Sequence, residues 1–207
     1  MTRLSLTFPL LIVAPLVCAD FAQSQTTFAV NDAPISAEGR LKWATVSTVG
    51  PASLTGGLFS SGLGTALNLP SEYGPHWEGF GKRYGMRLTG VATHNIIEAG
   101  LGAAWGEDPR YFRAFGQPVG SRIGHAIKMT FLARYNDGGL RPAYARFVAN
   151  AGNNFLSNSW RVHSEADASH ASVRILEGFL GRMTSNLFQE FFPDLKRRLF
   201  GKKSDQP

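Results

Sequence analysis

Apolar residues recur at helical spacing along most of this chain, and no β-branched stretch alternates long enough to make a strand. Trp77, Phe80, Tyr84, Leu88 and Val91 step by three and four, which predicts a helix opened by Pro75 and carried to about Ala104. Asp108 followed by Pro109 suits the cap and first position of a short helix. Ser121 begins another, with Ile123, Ile127 and Phe131 on its apolar side and Arg122 and His125 on the other. Asn136-Asp137-Gly138-Gly139 makes a turn. Pro142 then opens a helix expected to hold Tyr144, Val148, Ala151 and Phe155 inside, leaving Arg146, Asn150, Asn153 and Ser157 as a polar but weakly charged outer face. After a polar connection from Ser164 to His170, Val173, Leu176, Leu180, Met183 and Leu187 form the longest apolar stripe, ended at Pro193. The pattern predicts an all-α domain of about five to seven helices.

Trp43 to Ser71 contains no Asp, Glu, Lys, Arg or His in 29 residues. Within it Ser53, Gly57, Ser61 and Thr65 repeat every fourth position, on one face of a helix that Pro51 would open and Pro70 end. Small residues at that spacing let helix backbones approach closely, as they do in membranes. Two readings stay open: a buried helix or glycine-rich loop, and membrane contact by a re-entrant or surface-lying segment, because Gly50-Pro51 interrupts any simple span. Gly81 and Gly85 flank the central stripe at a helix cost of about 1 kcal/mol each, which points to another backbone close by. A homo-oligomer through such glycine-rich faces is left open. A capping Ser36 marks the start of the folded part.

The first residues read as an export signal: Arg3, an apolar run from Leu4 to Val17, and small residues before a cut after Ala19. The chain therefore divides into a signal over 1–19, a linker over 20–35, a helical domain over 36–200 and a basic polar tail over 201–207. Export to the periplasm or cell envelope, with outer-membrane association open, is the expected address. Cleavage would remove Cys18, the only cysteine, so neither disulfide nor thiol chemistry is expected in the mature protein.

Composition sharpens this. Glycine stands at 23 of 207 residues and the charged fraction at 17 %, a balance that suits close-packed helices or surfaces facing something less polar than water. The net charge of +6 comes from Arg3 together with Lys196, Arg197, Arg198, Lys202 and Lys203, so the folded body is balanced. A nucleic-acid protein would spread its basic residues over a face or groove, and that partner is excluded. Beside the tail cluster, Phe191 and Phe192 suit the boundary of an anionic membrane.

Polar residues out of place supply the candidate chemistry. The central stripe, extended, puts Asn95, Glu98 and Gly102 where apolar residues belong, with His94 one turn from Glu98. A carboxylate on a buried face needs a partner, expected here to be Arg110 or Arg113. Glu98, Glu107 and Asp108 could supply a carboxylate pair, whereas Arg110 and Arg113 beside Tyr111 and Phe112 suit an anion or head-group site. The histidines include no metal-binding i,i+4 pair, and no Gly-x-Ser-x-Gly elbow occurs; neither metal nor cofactor is expected. His94, Asn95, Glu98, Glu107, Asp108, Arg110 and Arg113 are thus the binding candidates. Ser53, Gly57, Ser61, Phe191, Phe192, Lys196, Arg197 and Arg198 are the membrane-contact candidates. The expected role is a non-catalytic, membrane- or lipid-contacting envelope protein, the alternative a small exported hydrolase using Glu98 with Asp108 or His94.

Trp77-Glu78-Gly79-Phe80-Gly81-Lys82-Arg83-Tyr84, Glu107-Asp108-Pro109-Arg110-Tyr111-Phe112, Lys128-Met129-Thr130-Phe131 and Gln189-Glu190-Phe191-Phe192-Pro193-Asp194 resemble a family of exported, glycine-rich hypothetical proteins of soil bacteria. The resemblance covers roughly residues 50–200. It implies export and one shared domain and carries no catalytic residues with it.

Overall fold

The computed structural model describes residues 33–200, so the expected signal over 1–19, most of the linker and the tail over 201–207 lie outside the described residues. The domain is mostly helical: α1 (Ala37–Val49), α2 (Pro51–Ala66), α3 (Trp77–Trp105), α4 (Val119–Phe131), α5 (Tyr144–Leu156) and α6 (Ala168–Phe200). A small antiparallel sheet joins them, ordered β1 (Glu107–Asp108), β2 (Leu132–Tyr135), β3 (Leu140–Pro142). The long helix α3 is the organiser, packing against α1, α2, α5 and β1, while α6 lies against α4 and α5.

Local chemistry explains most boundaries. Ser36 caps α1, its Oγ accepting from Gly39 N at 3.1 Å, and the helix runs on well beyond that glycine. Pro51 occupies the first turn of α2, where its missing N–H costs nothing. Gly106 takes a left-handed φ of 74° to end α3, which turns the chain into β1. Asn136 to Gly139 make the β2–β3 turn, with Gly139 N donating to Asp137 Oδ1 at 3.0 Å.

Several expectations are corrected. Asp108-Pro109 opens no helix: Glu107 and Asp108 pair with Tyr135 and Arg134 in β1–β2, and their side chains are bonded elsewhere. Pro75 lies ahead of α3, Ser121 falls inside α4, and Pro142 closes β3 instead of opening α5. Pro193 sits inside α6, which continues to Phe200. No strand was read from the sequence because these three are two to four residues long, too short to alternate visibly.

Which way the helices face is the main correction. Ile123, Ile127 and Phe131 of α4 are exposed, as are Tyr144, Val148 and Phe155 of α5 and Val173, Leu176 and Leu180 of α6. The buried positions are Ala126, Met129 and Thr130 on α4, Arg146, Asn150, Asn153 and Asn154 on α5, and Ser185, Asn186, Gln189 and Glu190 on α6. Trp77 is likewise 82 % exposed, and α3 turns Gly79, Arg83, Asn95, Glu98 and Gly102 inward. Half-buried Phe179 of α6 packs on both neighbouring helices, its ring 5.7 Å from Phe131 of α4 and 5.7 Å from Phe147 of α5. The apolar interior is small, chiefly Trp43, Tyr111, Phe112, Met129 and several alanines.

Close approach also falls on other glycines than expected. A Cβ at Gly81 or Gly85 would meet nothing within 4 Å, whereas one at Gly79 would lie 2.1 Å from Gly74 O. Gly81→Ala should therefore raise stability by about 1 kcal/mol through helix propensity alone. Gly79→Ala should lower it by about 1–3 kcal/mol through overpacking. Urea unfolding of the two variants reads the difference, and a loss at Gly81 as large as at Gly79 would contradict this packing.

Candidate functional site

Glu98 is 1 % exposed and held from three sides. Arg146 Nε of α5 donates to its Oε1 at 3.1 Å, Arg182 Nη2 of α6 stands 3.5 Å from the same oxygen, and His94 Nε2 lies 3.2 Å from Oε2. Arg110 and Arg113 are not its partners, contrary to the sequence expectation. Burial alone would raise the Glu98 pKa, but Arg182 and Arg146, with His94, overcome it and hold the carboxyl well below its usual range. Arg146 Nη1 also donates to the carbonyls of Met129 and Thr130 at 2.9 and 3.1 Å, so one guanidinium ties α3 and α4 to α5.

The other candidates form two further groups. Glu107, 1 % exposed, accepts at Oε2 from Tyr135 OH at 3.2 Å and from Ala145 N at 3.0 Å, and its carbonyl accepts from Arg40 Nη1 at 2.6 Å. Gly102 is glycine because a Cβ there would come within 2.9 Å of both Arg40 Nη1 and Glu107 O. Burial, then the nearby Glu107, pushes the Tyr135 hydroxyl up to about 12. Asp108 is clasped by Arg110, with Nε at 3.0 Å from Oδ1 and Nη2 at 2.6 Å from Oδ2. Arg113 belongs elsewhere: it donates to Glu190 O at 2.6 Å and lies over the Phe115 ring at 4.2 Å.

Glu190, which the sequence reading did not single out, is fully buried. Arg122 Nε donates to its Oε1 at 2.7 Å, while Tyr111 OH and Ala114 N donate to Oε2 at 2.8 and 3.1 Å. Arg122 also reaches Asp194 at 2.6 Å. A carboxylate between Leu187 and Phe191 breaks an apolar stripe just as Glu98 does, so the same signal could have found it.

Glu98, Asp108 and Glu190 thus make separate ion pairs, whereas Glu107 is bonded through Oε2 alone and its buried Oε1 has no partner among the described residues. Glu98, held ionised between guanidiniums, makes a poor general acid at neutral pH. Among the described residues, no group of three or more His, Cys, Asp or Glu side chains could hold a metal ion.

Beyond His94, Asn95 and Arg182 opens a cavity of about 500 Å3. Asn95 Nδ2 is turned to Thr48 Oγ1 of α1 at 3.0 Å. Ser61 lines the same cavity, whereas Gly57 packs where an added Cβ would come within 2.8 Å of both Tyr84 and Arg87. With Ser53 at 0 % exposure, the small face of α2 points into the protein, and its exposed apolar residues are Leu58 and Phe59. Near the C-terminal end, Phe191 carries Arg122 over its ring at 4.5 Å, Phe192 stacks on Phe188 at 4.6 Å, and exposed Arg197 pairs with Asp194 at 3.0 Å. Lys196 is exposed. Compared with protein-family models, curated proteins and solved structures, the chain matches none.

Proposed function

We propose that the chain is an exported envelope protein that performs no catalysis and seats the outer side of α4, α5 and α6 in the apolar part of a membrane. The observation that carries this reading is the inverted polarity of those helices. A helix facing water turns its charged side outward. Here the outward stripes are Ile123, Ile127 and Phe131, Tyr144, Val148 and Phe155, and Val173, Leu176 and Leu180.

Fully burying one such side chain is worth about 1.5–3 kcal/mol, so nine that are roughly half exposed offer on the order of 10 kcal/mol on entering an apolar phase. That is enough to hold a protein at a surface. No helix among the described residues is long and apolar enough to cross a membrane, so the contact is lateral, with helix faces lying in the interface. Exposed Lys196 and Arg197 add attraction to anionic lipid of about 1 kcal/mol each, screened by salt.

Flotation of the full chain with phosphatidylglycerol vesicles tests this. The wild type should float, and Ile127→Asp combined with Val148→Asp should reduce the bound fraction at least tenfold without changing the melting temperature in vesicle-free buffer. A protein that stays soluble and monomeric beside vesicles sinks the reading. If it forms a dimer that the same substitutions split, and does not float, the face belongs to a second copy instead.

A further inference from the structure

The cavity beside Glu98 is walled by more cations than its own carboxylates balance. Arg83, Arg87, Arg161, Arg174 and Arg182 line it against Glu165 and Glu177, five to two. Arg83 bonds chiefly to backbone, Nε to Leu69 O, Nη1 to Gly74 O and Nη2 to Pro70 O at 2.7–2.8 Å, with Nη1 also 3.4 Å from Thr65 Oγ1. Arg174 does much the same, with Nη1 donating to Glu165 O at 2.9 Å and Nη2 to Asn154 O at 3.0 Å and Asn158 Oδ1 at 2.5 Å. Neither guanidinium has a carboxylate within ion-pair distance among the described residues. Of the other three, Arg161 reaches Glu165 at 2.9 Å, and Arg182 shares Glu98 with Arg146.

Among the described residues, three buried polar atoms of the lining side chains have no partner, the Tyr73 hydroxyl being one of them. Arg174 Nε has no acceptor, and Asn153, 8 % exposed and lining the cavity, has an amide oxygen with no donor. A buried donor or acceptor without a partner is costly, so a ligand group that reaches one of them gains a bond there. Burial lowers the pKa of Arg174, with Arg161 adding to it, and brings Arg182 to about 10, helped by Arg146. These cations crowd one another, and an anion between them would relieve the crowding.

We infer that this cavity binds a phosphate monoester with a hydroxylated body, the oxyanion meeting Arg174 and Arg161 and a ligand hydroxyl donating to Asn153. Two guanidiniums without a carboxylate, Arg83 and Arg174, suit a phosphomonoester, which carries about −1.5 to −2 at neutral pH, better than a single carboxylate. Guanidinium groups match phosphate oxygens in planar, two-pronged contacts. The volume, in the usual range of roughly 300–1,000 Å3 for ligand sites, is too large for a bare anion. A free sugar or glycerol phosphate and a phosphatidic-acid headgroup share this chemistry. The inference stands on the cavity alone and does not depend on the membrane reading.

Calorimetric titration of the full chain with glycerol 3-phosphate and with dihexanoyl phosphatidic acid below its micelle concentration tests it, with glycerol and matched potassium chloride as controls. Saturable binding of at least one phosphomonoester is expected, and none of glycerol. Gly90 lines the cavity, and its added Cβ would meet only Asn153 Nδ2 at 4.0 Å, so Gly90→Leu fills the space while favouring the helix. It should weaken binding at least tenfold, whereas Gly81→Leu, on an open face of the same helix, should leave affinity unchanged. Arg174→Gln should act as Gly90→Leu does. Tenfold tighter binding of the phosphatidic acid, still lost in Gly90→Leu, assigns the site to a lipid headgroup; equal affinities assign it to a soluble phosphate. Absence of saturable binding by both compounds, or binding that Gly90→Leu does not weaken, overturns the inference.

Discussion

Glu190→Ala is expected to lower unfolding stability by about 3–5 kcal/mol, the usual cost of removing one member of a buried pair and leaving its partners without it. The carboxylate is fully buried and serves donors from two segments, Tyr111 and Ala114 in the chain after β1 and Arg122 on α4. Removing it leaves the Tyr111 hydroxyl and the Arg122 Nε without their acceptor beside the small cluster of Tyr111, Ala126 and Met129. Burial and the bond to Glu190 already hold the Tyr111 pKa well above its usual value, so this phenol stays neutral and needs an acceptor. Glu190→Gln, which keeps an accepting oxygen without the charge, should fall between. Asp194 shares Arg122 but its side chain is 34 % exposed, so Asp194→Ala should cost no more than about 1 kcal/mol. Urea unfolding measures all three, and a Glu190→Ala curve overlying that of Asp194→Ala would show that Glu190 contributes no more than a surface pair.

The helices were legible because a 3.6-residue period survives whichever way a helix faces. Ile123, Ile127 and Phe131 mark α4 equally well from inside or outside. Their direction was not legible, because placing the apolar side inward assumes water outside. The clue lay in the opposite face of α5, where Asn150, Asn153 and Ser157 carry almost no charge. Water-facing helices use Lys and Glu at such positions, whereas Asn, Ser and Gly suit a polar interior between closely packed helices, as in membranes. Glu98 was found because it interrupts a stripe, and His94 lies one turn away on the same helix. Its arginines lie 48 and 84 residues further on, on α5 and α6, and no local spacing links them to it. Arg110 and Arg113 were nearer in sequence but leave along β1 and the segment after it, where Asp108 and Glu190 engage them. The cavity is not legible in the sequence for the same reason: its arginines come from α3, α6 and the α5–α6 connection, and only packing brings them together.

Acid should unfold this protein largely through Glu98. Its folded pKa is lowered: burial opposes ionisation, but Arg182, Arg146 and His94 outweigh it. A carboxyl whose folded pKa lies below its ordinary value of 4.5 stabilises the fold fully above that pH. The contribution is lost as pH falls from there toward the lowered value, because the unfolded chain takes up the proton first. The wild type should therefore lose stability steeply below about pH 4.5. Glu98→Gln cannot titrate and should show a shallower loss over the same window, starting from a lower plateau at neutral pH. Glu98→Ala should lower that plateau by about 3–5 kcal/mol, since Arg146 and Arg182 would then be buried without a carboxylate between them. Arg146→Met combined with Glu98→Leu, which removes the closest charges of the group together, should recover much of that loss, because a buried pair replaced by apolar residues is often neutral or stabilising. Chemical unfolding across pH 2 to 7 reads all of these. A Glu98→Gln profile running parallel to the wild type's would remove Glu98 from the acid transition and leave burial to outweigh its arginines.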